Sequence, residues 1–187
     1  MAVERPHYSV ETSQPPYEIR DYAPTIVAAV HVEGDRSEAV SAGFRILARY
    51  IFGGNQAQGK IAMTAPVTQT RGQAIAMTAP VAQQPDPTGW EVRFTMPAAY
   101  TIDTLPRPTD GRVHIVQVPG QRMAVIKFSG FWSDANLQSH AAQLSAWLKA
   151  RHLTATSPPT YAYYDPPWTP WFMRTIEVMV DIAAART

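Results

Sequence analysis

The 187-residue chain contains no cysteine. That absence removes disulfides, thiolate metal sites and cysteine nucleophiles together. Charge is scarce and balanced, with 16 Lys and Arg against 15 Asp and Glu and a net charge of +1. There is therefore no bulk electrostatic case for a nucleic-acid partner or an anionic membrane. No apolar run approaches the ~20 residues of a membrane-spanning helix. The start, Met1-Ala-Val-Glu-Arg-Pro-His-Tyr8, has no basic run followed by an apolar stretch, so it does not read as a signal peptide. A cytoplasmic protein is the default expectation. Five histidines (His7, His31, His114, His140, His152) are dispersed, without the paired spacing of a zinc site. There is no Gly-x-Ser-x-Gly elbow and no obvious carboxylate pair. Gly54 to Lys60 nearly spells a phosphate-binding loop, but Ile61 replaces the metal-holding hydroxyl, and the order is helix, loop, strand.

What is present is a doubled word. Ile-Ala-Met-Thr-Ala-Pro-Val runs from Ile61 to Val67 and again from Ile75 to Val81. Each copy holds a proline that would break a helix interior. Read as strands, Ile61, Met63, Ala65 and Val67 share one face, as do Ile75, Met77, Ala79 and Val81. The polar, glycine-containing segment between them suits a hairpin loop.

Prolines (17) and glycines (10) divide the rest into short segments. Tyr8 to Thr12, Tyr17 to Tyr22 and Thr25 to Glu33 read as strands. Asp35 or Ser37 caps a helix to about Phe52, ended by Gly53 and Gly54. Its two apolar stripes, Val40-Phe44-Leu47-Ile51 and Ala39-Gly43-Ile46-Tyr50, are together wider than one buried face, so part of the helix has something else to cover. Trp90 to Pro97 reads as a strand, and Val113 to Val118 with Met123 to Ser129 as a hairpin. Ser133 caps a second helix to about Ala150. Strands near Thr160 to Tyr164 and Glu177 to Ile182 close the chain.

The two halves match in order: strand pair, capped helix, strand, long connection, strand. This spells a tandem repeat of about residues 8–97 and 113–182 in a single domain over 1–187. Both helices would pack on a mostly antiparallel sheet, an α+β fold. A cleft along the junction of the halves is a usual place for a small ligand.

Three features carry candidate chemistry. His31 lies on a strand as an axial-ligand candidate or a satisfied edge histidine. Glu177 is either ion-paired with Arg174 or a cleft carboxylate for a cationic ligand or general-base work. The run Trp168, Trp171, Phe172 and Met173 is a folded-back lid, a wall of a ligand site or a membrane-contacting tip. Trp and Met suit a large, flat, polarizable ligand.

Four segments resemble the SOUL haem-binding-protein family: Tyr17-Glu-Ile-Arg-Asp-Tyr-Ala-Pro24, Lys60-Ile-Ala-Met-Thr-Ala-Pro-Val67, Trp90 to Pro97 with Pro106-Arg-Pro108, and Tyr164-Asp-Pro-Pro-Trp-Thr-Pro170 on to Glu177. The resemblance implies a distorted barrel-like antiparallel sheet built from two pseudo-symmetric repeats, each with one packed helix. It implies non-covalent binding of haem or another tetrapyrrole in a hydrophobic cleft beside the first helix. By position it assigns Ser41, Phe44, Ala48 and Arg49 on that helix, and Trp168 and Thr169 on the aromatic loop. Asp21 stands where some members carry a histidine proposed as axial ligand, so ligation by that route is not expected.

The expected function is a tetrapyrrole carrier, buffer or sensor with no catalytic residues, no metal ligands, no nucleic-acid partner and no transmembrane segment. Two alternatives stand beside it. One is an effector-binding-type module for amphipathic or cationic aromatic molecules, with Glu177 as the anionic contact. The other is a hydrolase using Glu177 as base.

Overall fold

The computed structural model describes residues 4–56, 74–75, 77–165 and 168–183. Eleven strands, two α-helices and a one-turn 3-10 helix (Trp171–Met173) appear among them; the strands and α-helices are labelled as follows. In chain order they are β1 (Tyr8–Gln14), β2 (Tyr17–Tyr22), β3 (Thr25–Val32), α1 (Arg36–Ile51), β4 (Asn55–Gln56), β5 (Val81–Asp86) and β6 (Gly89–Thr95), followed by β7 (Arg107–Pro108), β8 (His114–Val118), β9 (Gln121–Phe128), α2 (Asp134–Ala150), β10 (Thr160–Tyr163) and β11 (Ile176–Asp181). Among the described residues, no helix is long and apolar enough to cross a membrane.

Nine strands form one antiparallel sheet in the order β1-β2-β9-β11-β10-β5-β6-β3-β8, curled into a half-barrel. Both helices lie on one face of it. Leu137, Leu144 and Leu148 of α2 pack with Ile19, Ala124, Ile126, Ile176 and Val178. Leu47, Tyr50 and Ile51 of α1 pack with Ala28, Val30, Val92 and Phe94. These strand residues alternate with ones facing the other side, as a half-covered sheet requires. Both helix starts are those expected: Asp35 accepts from the Glu38 N–H, and Ser133 from the Asn136 N–H.

Two expectations fail. The segments 113–118 and 123–129 do not pair with each other. Instead β8 pairs with β3 at the sheet edge, while β9 is held centrally between β2 and β11. The burial patterns explain the separation. β9 carries four consecutive buried residues and needs a neighbour on each side, whereas β8 is mostly exposed and suits an edge. The second copy of the doubled word is not an alternating strand either, because β5 begins only at Val81. Met77 is exposed and Thr78 is buried, the reverse of the expected alternation. The Ile75 N–H donates to Ile51 O and the Ala79 N–H to Glu4 O, so this segment is tied to the end of α1 and to the N-terminal stretch. The first copy, Ile61 to Val67, and the Gly59-Lys60 pair lie outside the described residues.

Gly43 sets how closely α1 approaches the sheet. A Cβ built there would stand 2.6 Å from Val92 Cγ2 and 2.7 Å from its Cβ. Gly43→Ala gains about 1 kcal/mol of helix propensity but overpacks a filled contact at about 1–3 kcal/mol. Urea unfolding of Gly43→Ala is expected to show a lower midpoint with an unchanged slope. A raised midpoint would contradict this close approach.

Candidate ligand-binding site

α1 buries Ala39, Gly43, Leu47, Tyr50 and Ile51 and leaves a second apolar strip uncovered. Phe44 is 36% exposed, and Phe52, at the C-cap, is 67% exposed. Ser41, Phe44, Ala48 and Phe52 fall within about 80° of arc at 3.6 residues per turn, and Arg45 lies just beside them. Phe44 rests edge-on against Phe94, with centroids 5.4 Å apart. The Ser41 hydroxyl donates to Ser37 O, so it is turned back onto the helix. Ala48 is half-buried, and Arg49 is exposed on the flank of the strip. The four assigned helix residues therefore share a surface.

Trp168 and Thr169 stand apart from them. Trp168 is 83% exposed. Among the described residues it makes no ring contact or hydrogen bond with α1. The loop is nevertheless tied to the start of α1 through three contacts. Arg36 Nη2 donates to Trp132 O at 2.7 Å, the Arg174 guanidinium lies 4.2 Å from the Trp132 ring centroid, and Arg174 Nε donates to Thr169 O at 2.7 Å. Arg49 sits in the last turn, 13 residues from Arg36, which is about 20 Å along the axis. The six assigned residues thus fall in two groups, four on α1 and two on the Trp168 loop, linked through Arg36, Trp132 and Arg174.

The sequence pattern passed over three exposed candidates. Phe52 was legible from the i, i+4 and i+8 spacing of Phe44, Ala48 and Phe52, and Arg45 from its place four residues after Ser41. Phe131 had no such signal. Its ring stacks on Trp171 with centroids 5.2 Å apart, and Trp171 meets Phe172 edge-on at 5.7 Å. Phe131, Trp168, Trp171, Phe172 and Met173 form an exposed apolar tip, larger than isolated surface hydrophobes account for.

Arg36 anchors this end of the site. It is buried, and its Nε pairs with Asp134 at the start of α2. Its Nη1 donates to the Tyr163 hydroxyl at 2.9 Å, which donates to Gln83 Oε1 at 3.3 Å, and Gln83 Nε2 donates back to Arg36 O at 2.8 Å. This closed ring of bonds joins α1, β5 and β10. Burial alone would lower the Arg36 pKa, but Asp134 and Tyr163 together outweigh it and the pKa is raised.

On the helix-free face, Glu177 pairs with Arg20 rather than with Arg174. The two are 3% and 2% exposed, and the pair is bidentate at 2.8 and 2.9 Å. The Tyr164 hydroxyl donates to the same carboxylate at 2.6 Å, and the Tyr8 ring lies 4.4 Å from the Arg20 guanidinium. Burial lowers the Arg20 pKa, but Glu177 more than restores it and the net shift is upward. Burial pushes Tyr22 up to about 12, and burial plus the Glu177 charge raises Tyr164. Two bonds from Arg20 and one from Tyr164 leave this acid engaged. His31 is likewise satisfied, with Nε2 3.1 Å from the Thr88 hydroxyl and Nδ1 3.5 Å from Asp86. Among the described residues no cluster of three metal-ligating side chains occurs.

Two stability predictions follow from these charges. Arg20→Leu leaves the Glu177 carboxylate buried and unpaired, so urea denaturation is expected to show a loss of about 3–5 kcal/mol. A double variant removing both charges is expected to recover part of it. Asp181 gives the pH dependence. Its Oδ1 is buried without a partner, and burial raises its pKa against the pull of Arg93 and Ser157. A raised carboxyl pKa favours folding in acid, and that contribution is lost as pH rises through the folded value. Asp181→Asn is therefore expected to raise the thermal midpoint at pH 7 and to lose this advantage below about pH 4.

Comparison with known proteins adds family and fold. A family model described as SOUL heme-binding protein matches residues 3–181. Heme-binding protein 1 of Xenopus tropicalis is 30% identical over 160 residues, covering 84% of this chain and 80% of that protein. Heme-binding protein 2 of Homo sapiens is 30% identical over 153 residues, covering 79% and 71%. Among solved structures, the EcmrR C-terminal domain superposes with a TM-score of 0.59 at 12% identity, covering 94% of this chain and 98% of that one. A hydrolase from Listeria innocua superposes with a TM-score of 0.55 at 12% identity, covering 92% and 94%. At such identities these two structures share the fold alone.

Proposed function

The chain belongs to the SOUL heme-binding protein family, and from that premise we propose that it binds haem or a related tetrapyrrole, non-covalently, along the exposed strip of α1. It then serves as a carrier, buffer or sensor in the cytoplasm rather than as an enzyme. The observation that carries this is the strip itself: Phe44 and Phe52 left exposed and Ala48 half-buried between them, on a helix whose opposite side is packed, with Arg45 and Arg49 alongside. A flat apolar macrocycle suits that surface. Its carboxylates suit the arginines, as charge-assisted pairs. Ser41 and the Trp168-Thr169 turn complete the strip at its other end.

The donor set fits a tetrapyrrole held without a protein ligand to iron. No histidine lies on α1. His140 stacks on Phe128 at 3.6 Å and bonds Asn136 O through Nδ1. Asp21 lies on β2, a strand that pairs with β9 in the part of the sheet that α2 covers. When bound, haem supplies a redox-active iron and its own visible absorbance. The residues of the chain hold one face of the ring, anchor its acids and keep water from that face.

The single sheet carrying both helices supports one SOUL-like domain over 1–187, with repeats at about 8–97 and 113–182. The engagement of Glu177 by Arg20 and Tyr164 argues against the two alternatives, because both need a free carboxylate there.

Titration with haemin and with metal-free protoporphyrin tests the proposal, read by the Soret band and by tryptophan quenching. Saturable binding of both is expected, with affinities within about tenfold because no axial bond distinguishes them. Phe44→Ala and Trp168→Ala are each expected to weaken binding about threefold to tenfold, the scale of a lost aromatic contact. Absence of saturable binding by either ligand would overturn the proposal.

A further inference from the structure

We propose that the protein holds a second, separate small-molecule site that takes a compact aromatic amine as its protonated cation, with Glu4 as the anionic contact. The site is a cleft of ≈ 320 Å³ between the N-terminal stretch, the β2–β3 turn and the loop after β6. The strip residues on α1, the Trp168 loop and Glu177 all lie outside its lining.

Residues 4–7 form a strap held at both ends. Glu4 O accepts from the Ala79 N–H at 2.9 Å, and His7 O accepts from the Ala23 N–H at 3.0 Å. The pairing of β3 with β6 ends at the cleft, where the Met96 N–H donates to Ile26 O at 2.8 Å. Ile26 and buried Met96 give it an apolar floor, and Tyr100 and Ile102 from the loop after β6 extend that lining.

The Glu4 carboxylate is placed at this cleft by its own hydrogen bond. Its Oε1 accepts from the Ala98 N–H at 2.8 Å, and Glu4 and Ala98 both line the cleft, so the bond joins the strap to the loop after β6. Among the described residues no Lys, Arg or His is ion-paired with Glu4. Arg5, next in the chain, also contributes to the lining, but its guanidinium lies 4.8 Å from the ring centroid of Tyr164, a residue outside the cleft. The backbone around the cleft has few donors to spare. The N–H groups of Ala23, Met96, Ala98 and Tyr100 already donate within the chain, and Pro6, Pro24 and Pro97 have none. The Thr78 hydroxyl is likewise committed to Thr95 O. A ligand that brings its own donors and a positive charge therefore fits better than one that needs donors. An ammonium group supplies three, and a planar apolar body attached to it suits the floor. The volume is at the low end of the ~300–1,000 Å³ of small-molecule sites, room for one or two fused rings rather than a macrocycle.

The test uses 1-naphthylmethylamine and its neutral counterpart 1-naphthylmethanol in calorimetric titrations of the whole chain at about pH 7, where the amine is protonated. Saturable binding of the amine is expected. Glu4→Gln keeps an acceptor for the Ala98 N–H and removes only the charge. It is expected to weaken the amine about fivefold or more while leaving the alcohol within about twofold, the signature of a lost charge-assisted bond. Ile102→Ser, at an exposed position, is expected to weaken both ligands by a similar factor of about threefold, the scale of lost apolar contact. Adding haemin beforehand is expected to leave amine binding unchanged. The inference is overturned if the amine fails to saturate, if Glu4→Gln leaves its binding unchanged or weakens amine and alcohol alike, if Ile102→Ser alters neither ligand, or if haemin displaces the amine. The two substitutions are read without haemin, so the second site and the tetrapyrrole site stand or fall apart.

Discussion

The buried guanidinium of Arg36 is the contact on which the geometry of the molecule turns. A guanidinium presents five donors in a fixed fork and cannot shed its charge, so once buried it forces several acceptors to converge on it. Here they come from the start of α2, from β10 and from the Trp132 carbonyl, while Gln83 on β5 closes the ring through the Arg36 carbonyl. Four elements far apart in sequence are thereby fixed at one end of α1. Through Trp132 and Arg174 the same joint reaches the aromatic loop.

The polar groups buried in the sheet and the apolar groups left on its surface serve opposite ends. Arg20 and Glu177 satisfy one another on the helix-free face, and the Tyr164 hydroxyl gives Glu177 Oε2 a second bond. Such a pair adds little net stability over an apolar replacement, yet losing one partner is costly. It behaves as a lock between β2 and β11. Phe44, Phe52, Phe131, Trp168 and Trp171 stay partly in water, at a free-energy cost that folding alone does not recover. Departures from good packing gather where a protein meets its ligand, and these residues are a clear departure of that kind among the described residues.

Much of the fold was legible. Asp35 and Ser133 announced both helix starts through the acceptor each side chain offers. The apolar stripes of α1 located its buried side and hinted at the second, uncovered one. Strand pairing was not legible, because β8 and β9 read as a hairpin on local turn chemistry while their burial demands sent them to different neighbours. The doubled word misled in the same way. Its alternation fits a strand, but hydrogen bonds to Glu4 and Ile51 claim the backbone of the second copy. The partner of Glu177 was misplaced for a related reason. Arg174 is close in sequence, whereas Arg20, 157 residues away in the chain, is its neighbour across the sheet.

The sequence by itself determined the fold class, the helix boundaries and the family, because caps, periodicity and motif words are local properties of the chain. Tertiary structure alone decided which strands pair, which arginine neutralises Glu177, how the Trp168 loop is tied to α1, and that residues 4–7 enclose a cleft. These depend on groups brought together across the sheet, where competition for hydrogen-bond partners and buried area is settled over the whole molecule rather than within any one segment.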